Sequence, residues 1–491
     1  MSTPDELTSA ATTSTGVRTY DVVVIGAGPV GENVADYARK GGLSVVVVER
    51  ELVGGECSYW ACIPSKALLR PVHAVAAAQR VAGAAQAVTG PLDAAAVLAR
   101  RDAFVHGFDD AGQVSWLDGA GIALVRGVGR LAGERRVVVD TAEGQVQLAA
   151  LRAVVVCTGS AAALPPVPGL DAASPWTSRE VTAMPNVPRR LAVIGGGVVS
   201  LEMAAAVKGL GAEEVTVLVR GDRVLEQVEA FAGELVVEGL RGAGVEVRFR
   251  TTAQRVERTG DGPVRLHLDD GSTLEADELL VATGRRPRTD DLGVETVGLE
   301  PGRSLPTDDG QAVHGVDGGW LFAAGDVTGR VLLTHQGKYQ ARLLGDRLSA
   351  EARGEAPDLT RWGRHAPTAD DAAVPQVVFT DPEVAAVGLT ERQAAERGLR
   401  TRLVTYDLGS VAGASLAADG YRGRAALLVD LDREVVLGAT FVGPDVAELL
   451  HSATIAVVGE VPLSRLWHAV PAFPTVSEVW LRLLEAIRTS A

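Results

Sequence analysis

Short, unbroken runs of Val, Ile, Leu and Ala recur along the chain, and several of them end in a glycine-containing turn. From residue 21 to 50 the order is an apolar run (Val22 to Ile25), glycines at 26, 28 and 31, a helical segment, and a second apolar run ending at Glu49. Such short Val-rich runs read as buried strands, so this stretch predicts strand, tight turn, helix, strand. The same order returns from 191 to 220, with Gly195 and Gly197 in the first two glycine positions and Ser200 in the third. VVVCTGS (154–160), LLVATGR (279–285) and LFAAGDV (321–327) each run a predicted strand into a turn.

Glycines at this spacing let the chain turn sharply and let backbone N–H groups and the helix N-terminus face a pyrophosphate, while an acid about 20 residues on takes ribose hydroxyls. Gly26, Gly28, Gly31 and Glu49 satisfy every part of that pattern. In the second unit the strand ends at Val219-Arg220 with no acid. Arg220 and Arg223 could pair with a ribose 2′-phosphate, so this unit is expected to prefer NADPH to NADH, unless both arginines are solvated surface charges. Two dinucleotide sites in one chain suggest an electron relay in which one dinucleotide is a bound flavin. Asp326, at the end of the 321–327 run, is placed to accept from a polyol or ribityl hydroxyl.

At 491 residues the chain predicts two to four domains. A formal charge of −15 argues against a nucleic-acid surface or an anionic membrane as partner. No apolar run approaches the roughly 20 residues that span a bilayer. Three cysteines do not make a secreted disulfide framework, and the N-terminus lacks the features of a secretory signal, so a soluble protein of a reducing cytoplasm is expected. Residues 1–17, rich in Ser, Thr and Ala, read as a disordered tail.

Two of the cysteines lie in GGECSYWACIPSK, residues 54–66. In an ideal helix, residues five apart have Cα atoms roughly 8.6 Å apart, whereas a disulfide needs about 4.4 to 6.8 Å. Pairing of Cys57 with Cys62 therefore requires a break in helical geometry, for which Gly54, Gly55 and Pro64 give scope. A regular helix is expected mostly after Ile63, running to about Val81 with a kink at Pro71. Thiols near its N-terminus, with Lys66 close by, would have stabilised thiolates. A metal site would need further soft ligands, but Cys157 stands alone and no His lies within ten residues of the pair. Taken by themselves, the residues leave a redox pair and two packed thiols both open.

GAGPVG, GGECSYWACIPSK, CTGS, the second glycine turn, ATGRRP, AAGDVTG and VPQVVFTDPEVAAVGLTE together resemble the class I pyridine nucleotide–disulfide oxidoreductases, the flavoproteins that include lipoamide dehydrogenase, glutathione reductase and mercuric reductase. The resemblance runs from about Tyr20 to Leu484. It implies an α/β fold with two Rossmann-like dinucleotide-binding domains and a C-terminal α+β interface domain that forms a homodimer. The FAD domain would take residues 18–168 and 285–356, the NAD(P)H domain 169–284, and the interface domain 365–491. It also implies that Cys57 and Cys62 are a redox-active disulfide, with Cys62 against the flavin and Cys57 facing a small-molecule substrate. Lys66 and Glu202 would be the ion pair beside the flavin's reactive edge. FAD would be held by Gly26, Gly28, Gly31, Glu49, Arg50, Gly55, Glu56, Cys57, Lys66, Gly129, Thr158, Gly159, Ser160, Asp326 and His335. NADPH would be held by Gly195, Gly197, Val198, Val199, Glu202, Arg220, Arg223 and Gly284. Cys157 is a packing residue on this reading, and no metal is implied.

One position departs from the family. Dithiol-handling members carry a C-terminal His-Pro-Thr-x-x-Glu whose His protonates the leaving thiol across the dimer. This chain reads PAFPTVSEVW, with Phe473 in place of the His and Glu478 kept. Loss of a general acid–base group costs roughly 10²- to 10⁴-fold in rate, so ordinary small disulfides are expected to turn over poorly. His468 or Glu478 could act instead, or Glu478 could be a relic. Three readings follow: reduction of a quinone, activated disulfide or unusual thiol adduct; thioether cleavage and carboxylation as in ketopropyl coenzyme M carboxylase, which resembles this chain in the Phe but replaces the Glu with His; or a redox-sensing flavoprotein of low turnover. Mercuric reduction is disfavoured by the ending AIRTSA, which holds no cysteine pair.

Overall fold

The computed structural model describes residues 11–12, 16–260 and 262–489. Residues 1–10 and 13–15 of the expected disordered tail lie outside the described residues. Ala11–Thr12 pair antiparallel with Arg18 and Thr19. The chain divides into two compact units.

The first unit comprises the residues up to Ile63, Asp102–Ala163 and Arg285–Asp370. Its sheet runs in the order Ala123–Arg126, Val45–Glu49, Arg18–Ile25, Gly144–Val156, Arg136–Thr141, Val128–Leu131, and Leu321–Ala323 also joins Gly144–Val156. Strands Arg18–Ile25, Val45–Glu49 and the end of Gly144–Val156 are parallel to their neighbours, and Val22, Val23 and Val24 are fully buried. Burial on both faces explains the unbroken apolar runs. One core cluster, around Val23, Val154 and Leu321, lies on one face, and a second, around Val22, Val34 and Leu344, is built with helices Pro29–Lys40 and Thr334–Ala352.

The second unit comprises Pro64–Arg101, Leu164–Gly284 and Asp371–Ala491. Strands Glu246–Phe249, Glu214–Val219, Arg190–Ile194 and Glu278–Val281 form an all-parallel sheet in that order. A separate five-stranded antiparallel sheet runs Pro375–Val378, Glu383–Gly388, Val435–Gly443, Arg424–Asp430, Thr401–Asp407. Most of the helix that follows the cysteine pair belongs here: Leu68 and Leu69 join the core of Val207 and Leu240, and a Cβ on Gly209 would stand 2.4 Å from Val72 Cγ1. This helix spans Cys62–Gln79, one residue earlier than Ile63. Pro64 sits in its first turn, where the missing N–H has no helical partner to lose, and Pro71 lies within it without ending it.

The fold is thus α/β with two Rossmann-like dinucleotide-binding parts and a mixed C-terminal part. Among the described residues no helix is long and apolar enough to cross a membrane.

Candidate active site

A cavity of about 340 Å³ opens in the first unit where strands Arg18–Ile25 and Val45–Glu49 end. Its shape depends on glycines. Gly26 has φ +100°, and a Cβ there would meet the Cys157 carbonyl oxygen at 2.5 Å. A Cβ on Gly31 would stand 1.8 Å from the Gly26 oxygen, and one on Gly55 2.8 Å from Gly28 Cα. Gly28 caps helix Pro29–Lys40 without a side chain, so the first-turn N–H groups are left for an anion. Glu49 is buried at the strand end, its Oε2 accepting from Ala27 N and its Oε1 from Glu51 N, both at 2.8 Å.

Arg50, Gly55, Glu56, Cys57, Gly129, Thr158, Gly159, Ser160 and Asp326 complete the expected part of the lining. Thr158 Oγ1 is buried without a hydrogen-bond partner. Ser160 Oγ donates to Asp326 Oδ2 at 2.5 Å. Gly31 acts from behind, through its contact with Gly26, while His335 is exposed and lies outside the lining. Among the lining residues that escaped the sequence reading are Arg285, which donates to Ser160 Oγ at 2.6 Å, and Arg288, which donates to Glu56 Oε1 at 2.8 Å. Their signal was their place directly after the Thr-Gly turn of ATGRRP. A glycine cradle, an uncapped helix start, a strand-end acid and an orphaned hydroxyl fit a dinucleotide such as FAD.

Cys57 lies on the wall of this cavity, within a short helix Gly55–Tyr59 that starts at Gly54 with φ +108°. The helix breaks at Trp60 (φ −134°), and the next begins at Cys62. This is the departure from helical geometry that pairing requires. Both cysteines are half-buried thiols, close enough for each to bear on the other's proton. Cys62 Sγ also lies 3.4 Å from Thr334 Oγ1. The hydrogen bond to Cys62 first, and burial second, push the Cys57 thiol well above the usual range. The expectation that both thiolates are stabilised is therefore corrected for Cys57. Only Cys62 sits at the start of the long helix, and burial together with the neighbouring sulfur disfavours charge on Cys57. Tyr59 is fully buried and Trp60 stacks on Phe108 at 6.0 Å between ring centroids, so both pack rather than face open space. Burial likewise raises the Cys157 thiol, which stays inert in the core.

In the second unit Gly195 (φ +136°) would, with a Cβ, meet the Ala282 oxygen at 2.3 Å, whereas Gly197 has nothing within 4 Å. Ser200 is fully buried and donates to the Gly197 carbonyl at 2.8 Å. Val198 and Val199 begin helix Val198–Gly209, Val199 being exposed, and Gly284 has φ +152°. Glu202, only 3% exposed, accepts from Lys66 Nζ at 2.8 Å and from Phe379 N at 2.9 Å. The Lys66 ammonium stands 4.9 Å from the centre of the Phe379 ring. Arg220 is exposed, while Arg223 donates to the Glu226 and Val228 carbonyls. Near the C-terminus Phe473 is 75% exposed and His468 is exposed. Glu478 is buried, with Oε1 accepting from Arg482 at 2.7 Å and Oε2 unpartnered.

Residues 20–341 match the family model described as pyridine nucleotide-disulphide oxidoreductase, and residues 374–484 match the dimerisation domain of the same family. The chain belongs to this oxidoreductase family. A mercuric reductase of Acidithiobacillus ferrooxidans is 33% identical over 98% of this chain and 84% of its own. Dihydrolipoyl dehydrogenase 3 of Pseudomonas aeruginosa is 33% identical over 94% of this chain and 96% of its own. Among solved structures, LpdA of Mycobacterium tuberculosis aligns with a TM-score of 0.80 at 26% identity, covering 96% of this chain and 99% of that one. A Cu(II) complex of the HOCl-induced flavoprotein disulfide reductase RclA of Escherichia coli shares the fold, with a TM-score of 0.81 at 23% identity and coverage of 96% and 99%. As a flavoprotein oxidoreductase of this family, the protein uses FAD and a pyridine nucleotide and carries a dimerisation domain.

Proposed function

We propose that the protein is an NADPH-dependent reductase in which the Cys57–Cys62 couple delivers two electrons to a small electrophile, an activated disulfide before a quinone or unusual thiol adduct. The observation that carries this reading is the juxtaposition of the two thiols, with Cys57 on the wall of the dinucleotide cavity. FAD would be held by the cradle of Gly26, Gly28 and Glu49, and would supply the means to relay an electron pair from the nicotinamide to the disulfide. Cys57 is the exchange thiol and Cys62 the resolving one. Each exchange forms one S–S bond and breaks another, so the couple ends oxidised and the substrate reduced. Glu202 holds the Lys66 side chain in place. The exposed Arg220, at a strand end without an acid, supports preference for the 2′-phosphate of NADPH. In this reading the protein works as a homodimer with the exposed segment around Phe473 at the interface, in a reducing cytoplasm.

Anaerobic titration with NADPH tests it. Uptake of two electron pairs, with a long-wavelength absorbance band that Cys62→Ser abolishes, is expected. Uptake of one pair by the unmutated protein would refute the relay. Phe473 also keeps thioether cleavage with carboxylation in view. Incorporation of labelled bicarbonate with a thioether ketone, and no disulfide turnover, would favour that reaction.

A further inference from the structure

Asp326 reaches the cavity wall from a sharp turn, and that turn is gripped from behind. Gly325, directly before it, has φ +80° and ψ −156°, a conformation open to glycine alone. A Cβ there would also stand 2.9 Å from Val30 Cγ2. Helix Thr334–Ala352 passes close by, since a Cβ on Gly337 would come within 3.2 Å of Gly325 Cα. From this helix Gln340, only 1% exposed, accepts from Gly325 N at 2.7 Å through Oε1. The Gly325 carbonyl accepts from Thr328 N at 3.0 Å and from Thr328 Oγ1 at 2.8 Å. Both backbone groups of Gly325 are therefore tied.

The other end of the Gln340 amide is tied as well. Its Nε2 donates to Asp370 Oδ2 at 2.7 Å. Gln336, one turn earlier on the same helix face, donates from Nε2 to Asp370 Oδ1 at 2.9 Å. The Asp370 side chain is wholly buried, and Arg330 Nε lies 3.9 Å from its Oδ2. Neither Gln340 nor Asp370 lines the cavity. An amide has one accepting and one donating end, so a carboxyl oxygen on one side of Gln340 dictates that its own oxygen faces Gly325. Two acceptors side by side are what a carboxylate offers and an amide does not. Burying a carboxyl group is a costly way to join a helix to a loop, because apolar side chains of similar volume pack there without the desolvation penalty. What the polar network adds is direction.

We propose that Asp370 and Gln340 are positioning residues for the flavin site: they fix the Gly325–Asp326 peptide and so keep the Asp326 carboxyl on the cavity wall, where its Oδ2 accepts from Ser160 Oγ at 2.5 Å. The inference rests on the reading of Asp326 as the acceptor for a ribityl hydroxyl of FAD. Asp370 orients the Gln340 amide, Gln340 holds the Gly325 N–H, and Gly325 aims Asp326. Each link is a hydrogen bond between groups remote from solvent, where a reversed donor has no water to replace its partner.

The test measures FAD released when the holoprotein is diluted, read by the fluorescence that free flavin recovers. Asp370→Asn leaves one acceptor where two amides need one each, and it is expected to raise the FAD dissociation constant about tenfold. In the double variant Asp370→Asn, Gln340→Glu, the new amide donates to the new carboxylate, whose second oxygen accepts from Gly325 N, and Gln336 keeps an acceptor. Release should then return to within about threefold of the unmutated protein. In an Asp326→Ala background, Asp370→Asn should change the constant by less than about twofold, since the group being aimed is gone. A merely structural role gives the same increase in both backgrounds, and that result overturns the inference. So does unchanged release from Asp370→Asn, or no recovery in the double variant. Should Asp370→Asn fail to fold, Gln340→Met, which leaves Asp370 its Gln336 partner, makes the same comparison with and without Asp326→Ala. If Asp326→Ala releases no more flavin than the unmutated protein, the reading of Asp326 fails and this inference falls with it. Strong release from Asp326→Ala with none from Asp370→Asn removes this inference alone.

Discussion

The two glycine turns look alike in sequence and differ in how tightly they are closed. In the first, a Cβ at Gly31 would reach 1.8 Å from the Gly26 oxygen, and Gly28 is met by the loop that carries Cys57. In the second, Ser200 replaces the third glycine and Gly197 has nothing within 4 Å. A buried acid, Glu49, ends the strand of the first, while an exposed Arg220 follows the strand of the second. Closure suits a ligand that stays, and openness suits one that comes and goes. The same local motif can therefore serve a resident cofactor or an exchanging one, according to what the rest of the chain lays over it.

The sharpest way to break this comparison is to add one methyl group to each turn. Gly31→Ala forces backbone against backbone and is expected to cost about 3 kcal/mol, with loss of bound flavin. Gly197→Ala should stay within about 0.5 kcal/mol. Thermal melts and the flavin absorbance per chain measure both, and equal effects would show that the turns are equivalent. Next in size, Glu49→Ala strips the partner from the buried Ala27 N–H and from the part-buried Glu51 N–H and should cost about 2 kcal/mol; retention of full flavin and stability would remove Glu49 from the first site. Arg220→Ala should leave the melting temperature unchanged and raise KM for NADPH, not NADH, about tenfold or more, as expected when one charge-assisted hydrogen bond is removed. If NADH serves equally well in the unmutated protein, the phosphate assignment is wrong. A modest loss is expected from Ser200→Ala, about 1 kcal/mol for one buried hydrogen bond, read by denaturant unfolding.

Much of the site was legible because its residues sit within two short motifs. Gly26, Gly28, Glu49 and Cys57 all line one cavity, and Lys66 meets Glu202 although 136 positions separate them. The break at Trp60 followed from the distance a disulfide demands. The misses have a common cause. Arg285 and Arg288 gain their role from Ser160 and Glu56, which lie far away in sequence. Nothing in the motif signalled that Cys57 and Cys62 would differ in proton affinity, because that difference depends on their hydrogen bond and on burial.

The order of strands, turns and helices, the family, and the chemistry on offer were all present in the amino-acid sequence. These depend on local periodicity, on glycine's tolerance of positive φ, and on which side chains can carry electrons or protons. How closed each turn is and how burial acts on the Cys57 thiol were settled only in three dimensions. Those outcomes depend on distances between segments remote along the chain and on desolvation. Neither is set until the helices pack.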